Sequence, residues 1–439
     1  MSANLIAIVG GTLIDGTGAN PVPDTAVIVR GAHVCSVGSR IGTPIPENAI
    51  VLDATGRTVL PGLIDLHQHT LSEWDKALFP QRGITSIRFA GGTQASILKL
   101  RDRIQCGELI GPRIFSVGPT IDSPPTARPQ SALVVNSPAE ATREAERLIR
   151  DEHVDALFAA RRIDVDCLRA MLDVAHSHGR PVTGQVYNLS AREAAQAGID
   201  GLENTSRIPE SPVFDDATLH GYRSVSHRLG MLGRLWATAP TGAMQEILGT
   251  LAEHQIEWAP GLVSFEHWAG FLQASLETEP QYRESPEELR QSFQQMKADI
   301  SKEWTEEIRK DWHEGLERAK QWIGYYHKIG GPIVTGTDTD FGAITYHREL
   351  GHLCEAGLSP MDIIVAGTSG SAHALRQSYL GIVGRGKLAD IIVVEGDPLR
   401  RLDSLMHPVH VLIGGRMEVV DGQIRKPARQ STPTLSAVN

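Results

Sequence analysis

The chain has 439 residues, 41% of them hydrophobic and 21% charged, with a formal net charge of -10. That length holds one large barrel plus a smaller domain, or two to three ordinary domains. The acidic balance argues against a nucleic-acid partner and against general affinity for anionic membranes. The four cysteines, Cys35, Cys106, Cys167 and Cys354, show no CxxC spacing, so reduced thiols in a cytoplasmic protein are expected, not a disulfide framework or zinc knuckle. No apolar run approaches the roughly 20 residues that span a bilayer, and the first residues lack the basic start of a signal peptide.

Runs at 5–9, 12–14, 26–29, 33–37 and 50–53 are apolar or β-branched and are separated by Gly, Asp and Pro turns, which predicts a small antiparallel sheet. Its continuation is expected at the far end, with strands at 388–395 and 409–413 and a hairpin of 418–420 with 423–425 around Asp421-Gly422. Between them, strand and helix patterns alternate, the order of a parallel sheet or a (β/α)8 barrel. Strands are predicted at 84–89, 113–118, 155–160, 181–187, 201–204, 257–263 and 333–337, and helices at 95–106, 138–152, 166–178, 191–197, 243–254, 347–355 and 360–375. The charged stretch 277–329 reads as solvated helices shaping a lid, and the residues after Lys426 as a disordered tail.

The first strand of the middle region ends Leu66-His67-Gln68-His69 after a Pro61-Gly62 turn. Strand side chains alternate faces, so His67 and His69 point the same way, roughly 6–7 Å apart. Two imidazoles on one face can hold one metal ion. Barrel chemistry sits at the C-terminal ends of the strands, and Asp338 ends the eighth strand in Gly336-Thr337-Asp338-Thr339-Asp340. Strands one and eight of a closed barrel are neighbours, so Asp338 could reach the same ion or its water.

The segments PGLIDLHQH, GELIGPRIFSVGP, GTDTDFG, HRELGHLCEAGLSP and GRGKLADIIVVEGDPL together resemble the amidohydrolase superfamily, on its imidazolonepropionase-like and Xaa-Pro-dipeptidase-like branch. The resemblance implies an α/β fold, a (β/α)8 TIM barrel over 61–380, and a small composite β-sandwich domain from 1–60 and 381–426, with 427–439 as the tail. It also implies one or two divalent metals that activate water against an amide, lactam or related carbon. His67 and His69 match the family's strand-one ligands, and Asp338 its strand-eight ligand and general base. Three positions depart from the pattern. Phe158 stands where the family carries a strand-four lysine, and Gln185 and Asn204 stand where it has the histidines of strands five and six.

Phe158 cannot bridge two cations ~3.5–4 Å apart, so a binuclear site is not expected. Two readings stay open for His67, His69 and Asp338. They hold one divalent ion, zinc first, and hydrolyse a non-peptide C–N bond of a cyclic amide or amide-like small molecule, with Asp338 as base. Alternatively they work metal-free as acid–base groups of an isomerase, a lyase (dehydratase or decarboxylase) or a cyclase acting on a specialised metabolite. A non-catalytic ligand-binding protein is the third option. Gln185, Asn204, Tyr187, Phe158 and His267 are the expected substrate contacts. Arg161 and Arg162 follow strand four, where a substrate carboxylate or plain solvent would meet them, and a helix-end role is expected for His176 and His178. The partners expected are a small-molecule substrate, no nucleic acid, no membrane and, at family level, a second copy in a homodimer.

Overall fold

A computed structural model describes residues 5–72, 74–91, 94–126, 132–205, 208–209, 225–268 and 276–425. The tail expected at 427–439 lies outside them. The two ends of the chain meet in one nine-stranded sheet. Its N-terminal strands are Leu5–Leu13, Val22–Arg30, His33–Ser39, Ile50–Asp53 and Arg57–Pro61. Its C-terminal strands are Ile391–Glu395, His410–Ile413, Arg416–Val420 and Gln423–Ile424. The halves join where Ile391–Glu395 runs antiparallel to Arg57–Pro61.

The two strands expected at 5–9 and 12–14 are one strand, Leu5–Leu13. Its register slips around Gly10, whose φ is +83°. The bulge lets one strand serve two partners, with Ile6–Val9 beside Ile50–Asp53 and Thr12-Leu13 beside Thr58-Val59. The sheet encloses a core of its own in which Ile6, Ile8, Val27 and Val29 meet Ile391, Val393 and Leu412. The alternate residues Ile392, Val394, Val411 and Ile413 face the opposite way, into the core of the central region.

The central strands are short and parallel, and Leu63–Gln68, Ile84–Phe89, Leu157–Ala159, Val182–Gly184, Gly201–Glu203 and Glu257–Ala259 are buried on every residue, as strands covered on both faces must be. Leu63–Gln68, Ile84–Phe89 and Arg113–Ser116 make a three-stranded sheet. Ala132–Val134, Thr120–Asp122, Leu157–Ala159, Val182–Gly184, Gly201–Glu203 and Glu257–Ala259 make a six-stranded one. Among the described residues these ladders do not close into a single barrel, and the strand expected at 333–337 forms only an Ile333–Trp258 bridge. A few hydrogen bonds cross the two gaps. Asp155 N donates to Ser116 O at 2.7 Å, Trp258 N to Pro332 O at 2.9 Å, and Leu66 N to Thr335 O at 2.9 Å. The segment before Asp338 is thereby seated between the histidine strand and Glu257–Ala259.

The helices begin where the sequence places caps. Ser137 precedes Pro138–Arg150, Asp164 caps Val165–Ser177, and Ser190 forms a capping box with Glu193 ahead of Ala191–Ala197. The strand expected at 257–263 is shorter than that. Pro260-Gly261, with Gly261 at φ +56°, turns the chain into helix Leu262–Trp268. The expected helix at 347–355 starts earlier, as Gly342–Glu355, because the absence of a Cβ at Gly342 lets its first turn lie against the Gln68 amide. The charged stretch is three helices, Pro280–Glu284, Glu287–Glu303 and Glu306–Lys328. No described helix is long and apolar enough to cross a membrane.

Candidate functional site

His67 ends the strand Leu63–Gln68 and is buried, while His69 just beyond it is 38% exposed at the side chain. Asp65, two residues earlier on the same strand, is fully buried. It accepts from His67 N at 3.1 Å and from Thr337 N at 3.0 Å, which splices the strand to the segment that carries Asp338. Asp338 N in turn donates to His67 O at 2.9 Å. Asp338 sits at φ +48° and Asn204 at φ +65°, left-handed conformations that Asp and Asn tolerate better than most residues. Backbone of this kind concentrates at functional sites, where the surrounding structure holds it.

Three side chains converge. His67 Nε2 and His69 Nε2 are 2.9 Å apart, and Asp338 Oδ1 lies 3.1 Å from the latter and 3.4 Å from the former. Asn204 Nδ2 donates to Asp338 Oδ2 at 2.6 Å. The second ring nitrogens also face acceptors: His67 Nδ1 is in ion-pair contact with Glu203 Oε2, off the line of a hydrogen bond, and His69 Nδ1 is hydrogen-bonded to Ala90 O. Arg88 Nη2 reaches the other oxygen of Glu203 at 2.5 Å.

Burial disfavours the ionised Asp338 carboxylate, but His67 and His69 beside it and the Asn204 amide outweigh that and hold it well below the usual range. Burial likewise works against a charged His67, and Asp338 and Glu203 overcome it to raise the ring. Glu203 is pulled down to about 2 against its own burial, by Arg88 first and then His67. Asp340 goes the other way, raised by burial and by Asp338.

The cluster opens into a cavity of about 290 Å³. His69, Asp338, Gln185, Asn204, Tyr187 and Phe158 all line it, joined by Arg161, Asp122 and Asp340. Phe158 presents its ring edge-on to His67 at 5.8 Å. Gln185 is 9% exposed, and among the described residues nothing hydrogen-bonds its side-chain amide. Arg161 lies over the Tyr187 ring at 5.3 Å and pairs with no described carboxylate. His267 is not a wall of this cavity. It is fully buried and stacked on Phe293 at 4.5 Å, so the structure separates it from the other expected substrate contacts. His176 pairs with Asp200 at 2.9 Å and His178 with Glu146 at 3.2 Å, away from the site.

A family model described as the amidohydrolase family matches residues 270–417. An adenine deaminase from Rubrobacter xylanophilus is 31% identical over 102 residues, 22% of this chain and 17% of that protein. An imidazolonepropionase from Pseudomonas fluorescens is 35% identical over 95 residues, 20% of this chain and 24% of that protein. Over these segments the chain is similar to the amidohydrolase superfamily. These alignments span less than a quarter of the length of either relative. A solved bottromycin amidohydrolase shares the fold more broadly, with a TM-score of 0.74 over 96% of this chain and 87% of that one at 18% identity.

Superfamily members commonly hold divalent metal, and the donor set here fits one ion. Two imidazole nitrogens and a carboxylate oxygen lie within 4.8 Å of one another, and three such donors are the set of many catalytic zinc sites. Ligands at ~2.0–2.1 Å from a tetrahedral ion stand about 3.3 Å apart, close to the 2.9, 3.1 and 3.4 Å found. A second ion would need a bridging carboxylate, and the ring of Phe158 occupies that side of His67.

The sequence singled out neither Glu203 nor Arg88, although both carried a signal. Each is a charge inside a predicted strand of the central region, Arg88 in 84–89 and Glu203 in 201–204. A charge in a strand of a parallel sheet covered on both faces calls for a buried partner.

Proposed function

We propose that this protein hydrolyses a non-peptide C–N bond of a small amide or cyclic amide, with at most one divalent ion on His67, His69 and Asp338. The observation that carries the reading is the convergence of those three donors beside the cavity that His69 and Asp338 line. A bound ion of this kind supplies Lewis-acid polarisation and a water of lowered pKa. Asp338 stays ionised through the neutral range, with Oδ2 fixed by Asn204, and Oδ1 takes the attacking water's proton. Gln185 offers an amide donor and acceptor to the substrate, and Arg161 a guanidinium without a competing carboxylate. Phe158 keeps solvent from the inner side of His67. The reading includes a (β/α)8 barrel over 61–380 beside a domain made of 1–60 and 381–426; the hydrogen bonds across both sheet gaps and the joined terminal sheet support it.

Metal analysis of the purified protein with an amide substrate panel tests this. Zinc near one per chain, lost together with hydrolysis in His69→Ala, is expected. Hydrolysis that survives exhaustive chelation overturns the metal part. One observation favours a second reading. His67, His69 and Asp338 already touch at hydrogen-bond distances of 2.9 and 3.1 Å, as a metal-free acid–base group would. On that reading chelator leaves turnover intact, the product is an isomer or an elimination product, and Asp338→Asn abolishes it.

A further inference from the structure

Glu203 lies behind His67. Its side chain is 1% exposed and it is no wall of the cavity. One carboxylate oxygen meets His67 Nδ1. The other takes Arg88 Nη2 at 2.5 Å and the Thr183 hydroxyl. Arg88 Nε donates to Leu66 O at 2.8 Å, the carbonyl just ahead of His67. Four strands thus contribute to fixing one imidazole.

Arginine is a cation at any working pH, so the carboxylate that faces it is ionised and can only accept hydrogen bonds. An acceptor against Nδ1 calls for the ring proton there. The lone pair of neutral His67 is then on Nε2, the atom that faces His69 and Asp338. His69 follows the same logic, because its Nδ1 meets the Ala90 carbonyl, another pure acceptor. Two neutral rings so fixed oppose lone pair to lone pair across 2.9 Å, and a cation between them relieves the repulsion.

We infer that Glu203, clamped by Arg88 and Thr183, is a positioning residue that fixes His67 as the Nδ1–H tautomer and aims its Nε2 lone pair at the cation site. The inference builds on the single-ion reading, but the tautomer can be read without any ion. Metal-free protein with 15N-labelled histidine, assigned by difference against His67→Gln, is expected to show His67 protonated on Nδ1 at a pH where the ring is neutral. The double variant Arg88→Met with Glu203→Leu removes the clamp and leaves no buried charge unpaired, a swap often neutral for stability. In it His67 is expected to gain Nε2–H, and affinity for zinc chloride titrated against a chromogenic chelator to fall by about 10–100-fold. Wild-type His67 protonated on Nε2 overturns the inference, as does a folded double variant that keeps both Nδ1–H and wild-type zinc affinity. If the double variant does not fold, the wild-type spectrum decides alone. A wild type that is Nδ1-protonated and binds no zinc defeats the single-ion reading and leaves this inference standing.

Discussion

At the residue scale, the base role proposed for Asp338 can be tested by a substitution that keeps its shape. Asp338→Asn keeps the shape but loses the charge that two imidazoles hold in place. Loss of a general base costs typically 10²–10⁴-fold, so kcat is expected to fall by about that factor, measured by steady-state turnover of a cleaved amide. Gln185→Ala removes an unengaged amide from the cavity wall and should raise KM while changing kcat less than threefold; a selective loss of kcat would make Gln185 part of the chemistry instead. His67, His69 and Asp338 were legible in the sequence because each lies in a contiguous motif. Glu203 was not, because its role exists only once Gly201–Glu203 is brought behind the histidine strand. His267 is the converse case. Its place after a strand suggested the cavity, and the turn at Pro260-Gly261 sends it into an aromatic cluster instead.

At the scale of elements, the helix Leu262–Trp268 forms a wall of the cavity and hangs on a buried acid. Glu349 is 0% exposed and accepts from Val263 N at 2.7 Å. Burial, with smaller help from Asp65 and Glu266, pushes its carboxyl up to about 8, against the N–H groups of Val263 and Leu262 that favour ionisation. The folded state therefore grips this proton more tightly than the unfolded chain, whose ordinary value is 4.5. That contribution is complete below pH 4.5 and is lost as pH rises through about 8. Stability should fall over this window by about 1 kcal/mol per pH unit from this group. Glu257, pushed to about 7 mainly by burial, acts in the same direction. Glu349→Gln keeps an acceptor without the titration, so urea midpoints measured from pH 5 to 8 should decline less steeply than in the wild type. An unchanged slope would remove Glu349 from the account. The strand at 257–263 was misread for a related reason. Glu257 to Val263 is mostly apolar, and a helix of seven residues is too short to display a period.

At the scale of the whole molecule, two cores share one set of strands. Ile391 and Val393 face the sheet's own core and Ile392 and Val394 the central one, so neither core is complete without the other. Ile392→Ala should cost about 2–5 kcal/mol, read by chemical denaturation. Calorimetry should show one transition in wild type and variant alike, and two resolved transitions would mean that the cores are independent. The strand-rich ends and the alternating middle were readable from period and turn residues. The seams between the two central sheets were not, because they rest on scattered hydrogen bonds such as Leu66 to Thr335, which leave no mark on local pattern.

The strand Arg57–Pro61 runs through Gly62 directly into Leu63–Gln68, and its antiparallel partner is Ile391–Glu395. Pro61 pairs with Ile391, a separation of 330 residues (391 − 61). A ribosome adding about 5–20 residues per second needs roughly 17–66 s to make that stretch. Throughout that time the backbone edge that feeds the histidine strand emerges without its neighbour. Until then the ladder between these two strands cannot form, so the sheet edge that feeds the histidine strand is completed only after residue 391 has been made.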